Sequence, residues 1–317
     1  MKNNVINLEI GSAQQLEEKL TPLAKKKKWP LVALSIPNPQ VVTGQFDLPQ
    51  LSLSELRESL KLEAVSLLSL NPSQTEIDYQ ILSVSEKRIN GVFAASSAKL
   101  IREYAAICYK KKTIPVSATA AILTTVNSFL EKNKIPDENF CLLDFSTEAV
   151  LRLAVFDNSK CILLREILYD SLDEARKKIL GSLKYSYTKG RSKKITKIYL
   201  CPYSSEKDEL IDRLKAELDA EIETSRPMNS DFHAYNADKF FKINLLRKHA
   251  LSLGLRRAVL GLLNIIITAS LIIVLVSVSD MLKTEKTIRR NYEYLASEQY
   301  QQAKALKEKL EKLTREN

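Results

Sequence analysis

Twenty-two consecutive residues, Ala258 to Ser279, carry no charged side chain. At about 1.5 Å per residue they make a helix of roughly 33 Å, enough to cross a hydrocarbon core of about 30 Å. The run lies late in the chain, with 257 residues before it and 38 after it. A buried core helix of this length is expected to carry a polar stripe. The only polar side chains here are Asn264, Thr268, Ser270, Ser277 and Ser279. Asn264, Thr268 and Leu271 fall on one face, which could hydrogen-bond a partner helix. The expected layout is a large domain tied to a membrane by one helix, with a short charged helix on the far side. That layout suits transmission or scaffolding across a membrane better than free metabolic catalysis.

Lys239, Lys242, Arg247, Lys248, Arg256 and Arg257 precede the span closely, and Lys283, Lys286, Arg289 and Arg290 follow it. The bias favours a cytoplasmic N-terminal side, with the C-terminal segment on the far side of the membrane. The opening residues MKNNVINLEI hold no long apolar region that would read as a signal peptide. Cys108, Cys141, Cys161 and Cys201 all precede the span, each in an apolar stretch and none in a C-x-x-C. They read as reduced core thiols of a cytosolic domain. The net charge of +10 is spread out, with short clusters at Lys25–Lys28, Lys110–Lys112 and Arg191–Lys194. No basic stripe interleaved with aromatics occurs, so nucleic acid is not an expected partner. Attraction to an anionic leaflet is the alternative to plain solvated loops.

Along the soluble part, Ser12–Lys28 reads as a helix and Leu31–Ile36 as a strand stopped by Pro37-Asn38-Pro39. Ser52-x-x-Glu55 is a capping box opening a helix with Leu56, Leu60, Glu63 and Ala64 at helical spacing. Strands follow at Ile77–Leu82 and Gly91–Ala95, then a helix through Leu100, Tyr104, Ile107 and Cys108, and another from about Ser117 to Lys132. Phe140–Phe145, Val150–Phe156 and Cys161–Leu168 read as three strands in series. A helix from Ser171-x-x-Glu174 to about Tyr187, a strand Ile195–Cys201, a helix from Ser205-x-x-Asp208 to about Leu218 and a short strand Glu221–Thr224 complete the order βββαβα. In a three-layer α/β domain this is the core of an RNase H-like, actin-type half-domain.

These residues resemble the actin-like PilM family of type IV pilus assembly and the cytoplasmic part of the GspL protein of type II secretion. The stretches that carry it are Leu31-Val32-Ala33-Leu34-Ser35-Ile36-Pro37, Phe46-Asp47-Leu48-Pro49, the helix with Glu55-Leu56 and Glu63-Ala64, and Asp78-Tyr79. Leu142-Leu143-Asp144-Phe145-Ser146, Leu164-Arg165-Glu166-Ile167 and Ile198-Tyr199-Leu200-Cys201 continue it over roughly residues 5 to 227. Ile243-Asn244-Leu245-Leu246-Arg247 is similar to the I-N-L-L-P signature that opens the PilN family, with Arg247 in place of the proline. The resemblance implies a PilM-like domain fused to the start of a PilN-like one, the architecture of GspL. The expected divisions are 1–135 and 136–232 for two subdomains, 233–257 for the juxtamembrane segment, 258–279 for the transmembrane helix and 280–317 for a coiled-coil helix.

Actin-type ATPases cradle phosphates with glycine-bearing turns, because backbone amides must approach closely and a Cβ obstructs them. The chain has only seven glycines, and none falls in the loop directly after Asp144 or after Leu200. The family's D-I-G stands here as Asp144-Phe145-Ser146, and its glycine pair as Cys201-Pro202-Tyr203, where Pro202 also removes a donor. Glu9-Ile10-Gly11-Ser12 imitates the first phosphate loop, but a helix follows it where a return strand is needed. No Walker motif replaces these loops. Asp144 is the one candidate carboxylate near a metal and phosphate; the alternative is a strand-end Asp held by turn amides. His233 and His249 are the only histidines and are not spaced as metal ligands. The expectation is therefore no enzyme and no cofactor, with a membrane-tethered, ATP-binding member of the actin superfamily as the rival.

Beyond the span, Ala296, Ala303, Leu306, Leu310 and Leu313 fall on a three-four seam, with Tyr292 and Gln299 as weaker members. A short coiled coil fits, and a solvated helix is the alternative. The partners that the resemblance implies are a pilus or secretion assembly ATPase, a PilO- or GspM-like bitopic protein, a polytopic platform protein and further copies of this chain. The candidate partner-binding residues are Glu55, Leu56 and Glu63, the segment Ile243, Asn244, Leu245 and Leu246, and the seam residues Leu306, Leu310 and Leu313. Because both elements lie in one chain, the segment is expected to dock in cis or between neighbouring copies.

Overall fold

A computed structural model of the chain describes residues 5–25, 29–133, 138–147, 149–158, 160–188, 194–201, 208–224 and 240–315; along the last helix it describes the side chains of 247, 263 and 265–309. The chain forms two units, 1–250 and 251–317. The first unit opens with β1 (Val5–Glu9), α1 (Ala13–Leu20) and β2 (Leu31–Ile36). β1 pairs in parallel with β2 (Asn7 beside Ala33), so the N-terminus is a β-α-β crossover, not a hairpin. Ser12 caps α1 by accepting from the Gln15 amide at 3.1 Å. The helix expected to run to Lys28 stops at Leu20, and Lys26–Lys28 lie outside the described residues.

An antiparallel sheet follows, built from β3 (Val41–Pro49), β4 (Thr75–Val84) and β5 (Arg88–Ser97) in the order β3-β5-β4. Between β3 and β4 runs α2 (Leu53–Leu68), whose capping box between Ser52 and Glu55 is formed in both directions. Its Leu56, Leu60 and Ala64 are fully buried against Phe46, Ile77 and Phe93 of that sheet. Gly44 and Gly91 permit this packing: a Cβ at Gly44 would lie 2.3 Å from the Phe93 ring, and one at Gly91 2.5 Å from the Phe46 ring. Then come α3 (Ala98–Lys110), β6 (Ile114–Ala120) and α4 (Ala121–Lys132). β6 joins the first sheet, in the order β1-β2-β6, by pairing in parallel with β2. Sequence pattern places a helix from Ser117; the chain stays extended to Ala120 because β2 supplies a parallel ladder, a tertiary contact that overrides local preference.

The second half runs β7 (Phe140–Thr147), β8 (Val150–Asp157), β9 (Lys160–Leu168), α5 (Leu172–Thr188), β10 (Lys197–Cys201), α6 (Asp208–Leu218) and β11 (Glu221–Thr224), the expected βββαβα. Its five-stranded sheet has the order β11-β10-β7-β8-β9, antiparallel in the meander and parallel beyond it. Both faces are covered. Cys141, Leu143, Leu153 and Val155 face α5 and α6, while Phe140, Leu142, Ala154 and Phe156 join a core shared with α3, α4 and the β1-β2-β6 sheet. That double burial accounts for the near-continuous apolar strands.

The last element, α7 (Arg247–Arg315), is one uninterrupted helix of 69 residues. Among the described residues it is the one helix long and apolar enough to cross a membrane, and its apolar stretch is exposed. A separate coiled-coil element is not distinguished from it.

Candidate functional site

Two constructions of the first unit bear on function: a groove that holds the juxtamembrane segment, and the cleft between the two halves. β6 is an edge strand of its sheet, so its outer amides and carbonyls need partners. Residues 240–246 supply them. The Leu245 amide donates to the Ala118 carbonyl at 2.8 Å. The Asn244 carboxamide completes the edge: its Oδ1 accepts from the Ala118 amide at 3.0 Å, and its Nδ2 donates to the Val116 carbonyl at 3.2 Å. The same Oδ1 accepts from the Leu246 amide at 3.0 Å, which fixes the turn into α7.

Upstream, two side-chain amides read the segment's backbone. Asn127 of α4 accepts from the Phe241 amide and donates to its carbonyl, at 2.8 and 2.9 Å. Gln80 of β4 accepts from the Lys242 amide at 2.6 Å and donates to the Phe240 carbonyl at 2.8 Å. Asp78 accepts from the Asn244 amide at 2.7 Å and lies 3.6 Å from the Arg247 guanidinium. Phe241, Ile243, Leu245 and Leu246 are buried in the main core. So the four residues Ile243–Leu246 occupy a groove on their own domain, and α7 starts at the next residue.

The cleft between the halves is filled by Arg152 of β8, which is only 2% exposed. Its Nε donates to Glu166 at 3.1 Å, its Nη1 to Asp144 at 3.3 Å and its Nη2 to Glu9 at 2.5 Å. Glu9 belongs to the first half, and Asp144 and Glu166 to the second. The Asn38 amide donates to Glu166 at 3.1 Å, and Thr125 of α4 donates its hydroxyl to Asp144 at 2.9 Å. Asp144 thus meets the Arg152 guanidinium and the Thr125 hydroxyl. Burial opposes the charge on Arg152, but the Glu9, Asp144 and Glu166 carboxylates outweigh it and hold the guanidinium above its ordinary range. Burial is also the largest influence on Glu166, which is raised despite Arg152 beside it. Phe145 is buried, and the side chain of Ser146 lies outside the described residues, as do Pro202 and Tyr203.

The fold makes a nucleotide and its metal the natural question at this cleft, and the residues do not fit them. A guanidinium sits on the one candidate metal carboxylate, and no glycine stands in the loop after it. Among the described residues no group of three His, Cys, Asp or Glu is arranged to hold a metal. His233 and the His249 side chain lie outside the described residues.

The other candidate residues divide. Leu56 belongs to the core beneath α2 and is no free docking surface, a correction to its reading as a partner contact. The same helical spacing that marks it also buries it. Glu55 and Glu63 are exposed, and Glu55 is committed to the capping box, whose Ser52 hydroxyl lowers its pKa. Leu306 is exposed on α7, and the Leu310 and Leu313 side chains lie outside the described residues. Arg152 was not singled out from sequence. Its signal is a lone charge inside the apolar strand Val150–Phe156, which needs a buried partner.

The two halves, each a strand-rich sheet with helices, and the cleft between them define an α/β fold of the actin-like kind. The solved PilM–PilN type IV pilus biogenesis complex is similar to it, at 18% identity and a TM-score of 0.54 over 69% of this chain and 75% of that one. Looser likenesses are the cytoplasmic domain of EpsL, an inner-membrane component of the Vibrio cholerae type II secretion system, and a Bacteroides thetaiotaomicron protein with an actin-like ATPase fold. The first has 9% identity and a TM-score of 0.48 over 76% of this chain and 96% of that one. The second has 11% and 0.45 over 70% and 90%. At these identities the likeness is one of fold. No family model and no curated protein matches the chain.

Proposed function

We propose that this chain is a non-catalytic platform protein of a type IV pilus or type II secretion machine in a bacterial inner membrane. Its actin-like domain, divided near residue 135 and followed by the juxtamembrane segment 233–257, lies in the cytoplasm and docks the assembly ATPase. The helix 258–279 crosses the membrane, and residues 280–317 form a periplasmic coiled coil with a PilO- or GspM-like partner or a second copy, beside a polytopic platform protein.

The observation that carries this reading is the juxtamembrane joint. Ile243–Leu246 are locked into the domain and the membrane-length helix begins at Arg247, with no slack between them. The filled cleft supports a scaffold over an ATPase, because Arg152 engages Asp144 and Glu166, the buried carboxylates that a metal would need. The test is co-purification of the detergent-solubilised full chain with the assembly ATPase of its own host. Capture that persists in Arg152→Lys supports the reading. An ATPase that passes through unbound, with the chain folded, refutes it.

A further inference from the structure

Beside the docked segment lies a cavity of about 550 Å³, within the range that small organic ligands occupy. Its walls come from β3, β4, β5 and the start of β9, and Phe240 and Lys242 of the juxtamembrane segment close one side. Its apolar surfaces include Phe46 and Phe240, and its polar groups include Ser83 and Asn90. Two lysines, Lys160 and Lys242, line it from opposite halves of the domain. Neither has a carboxylate within 4 Å among the described residues, whereas the one wall carboxylate, Asp47, is taken by Arg88 at 2.7 Å. The lining thus carries uncompensated positive charge next to aromatic rings and amide groups. β4 slips register between Ile81 and Ser83, and the irregularity brings the Ser83 hydroxyl to the Asn90 amide at 2.6 Å on this wall. Bulges of this kind re-aim side chains and gather next to binding sites.

The geometry points to a binding site for a small organic phosphate, an anionic phosphate ester carrying a planar or apolar body, beside the docked juxtamembrane segment. The two ammonium groups meet the phosphate as unpaired donors, and the rings flank the body. The site has a consequence for the joint. Gln80 lines the cavity and also holds the Phe240 carbonyl and the Lys242 amide. A ligand that bridges Lys160 to Lys242 therefore ties the juxtamembrane segment to the second half of the domain. Only the docked state presents both lysines, so such a ligand stabilises docking by its differential affinity. This inference rests on the docked segment and stands whether or not the assembly ATPase is the partner.

Two sources share this chemistry, soluble nucleotides and phospholipid headgroups. The test uses the full-length chain in nanodiscs of phosphatidylcholine alone, titrated with AMP and GMP, and separately in nanodiscs containing phosphatidylglycerol. The readouts are calorimetry and hydrogen exchange at amides 240–246. The expected result is saturable binding with at least tenfold slower exchange in one arm. Lys160→Glu and Lys242→Glu each weaken it at least tenfold, and Phe240→Leu weakens it severalfold. Nucleotide binding alone assigns a soluble effector, and protection by phosphatidylglycerol alone assigns a lipid. No saturable binding at millimolar nucleotide together with no protection by phosphatidylglycerol overturns the site. So does binding that both charge reversals leave unchanged.

Discussion

Asn244→Ala tests the joint where it is most exposed to measurement. Full burial of Phe241, Ile243, Leu245 and Leu246 contributes about 6–12 kcal/mol in all. Ordering the backbone of residues 240–246 costs about 7–14 kcal/mol. The two nearly cancel, so the hydrogen bonds decide whether the segment stays docked. Asn244 Oδ1 alone satisfies the amides of Ala118 and Leu246, which are 1% and 2% exposed. Leaving one buried donor without a partner costs about 1–3 kcal/mol. Even about 2 kcal/mol for the pair raises the population of the undocked state roughly 30-fold. Native-state hydrogen exchange in the full-length protein reads this directly at the Phe241, Leu245 and Leu246 amides. Exchange there is expected to rise by that factor while strands of the second sheet, such as β10, keep their protection. An increase of less than about threefold would refute the reasoning, since it corresponds to under about 0.7 kcal/mol.

The filled cleft yields further expectations. Arg152→Ala leaves Asp144 and Glu166 buried without their counter-charge and should lower stability in urea by about 3–5 kcal/mol, while Arg152→Lys, a point charge that cannot serve three carboxylates, should fall between. A chain carrying both Lys160→Glu and Lys242→Glu should give no saturable Mg-ATP binding by calorimetry up to millimolar nucleotide, because Arg152 and its carboxylates fill the cleft. Burial raises Glu166, so the folded state holds its proton more tightly than the unfolded one. That contribution is full below the unfolded value near 4.5 and is lost as pH rises through the raised folded value. Urea midpoints should therefore show wild type losing stability relative to Glu166→Gln across that rise. The four buried cysteines should resist a thiol reagent until unfolding, because burial pushes the Cys108 thiol up to about 12 and leaves roughly one in ten thousand ionised at pH 8.

The membrane run, the Ser52 capping box and the βββαβα order of the second half were legible because each is local: a length, a spacing, a succession of apolar runs. β6 was not. Val116-Ser117-Ala118-Thr119-Ala120 has no strong period, and a partner strand whose paired residues lie 83 or 84 positions earlier makes it extended. β1 was hidden for the same reason, since its ladder is also with β2. In the candidate site, Ile243–Leu246 stood out as a short motif, but the residues that hold it come from α4, β4 and β6 and share no local pattern. Arg152 and its carboxylates lie up to 143 residues apart in sequence. Only the closure of two sheets brings them together, although a charge inside an all-apolar strand is a readable warning. Leu56 shows the opposite failure. Its spacing was clear, and that spacing describes the face that packs on a sheet, not the face left for a partner.

The central claim is that the juxtamembrane segment docks on its own domain and passes directly into the membrane helix. The most direct measurement is crosslinking with a short bis-maleimide in native membranes, using a full-length chain with Gln80→Cys and Lys242→Cys, the native thiols being buried. The account predicts an efficient crosslink within one chain, formed more slowly when Asn244→Ala is added. Crosslinks formed only between chains, or none in folded protein, would contradict it.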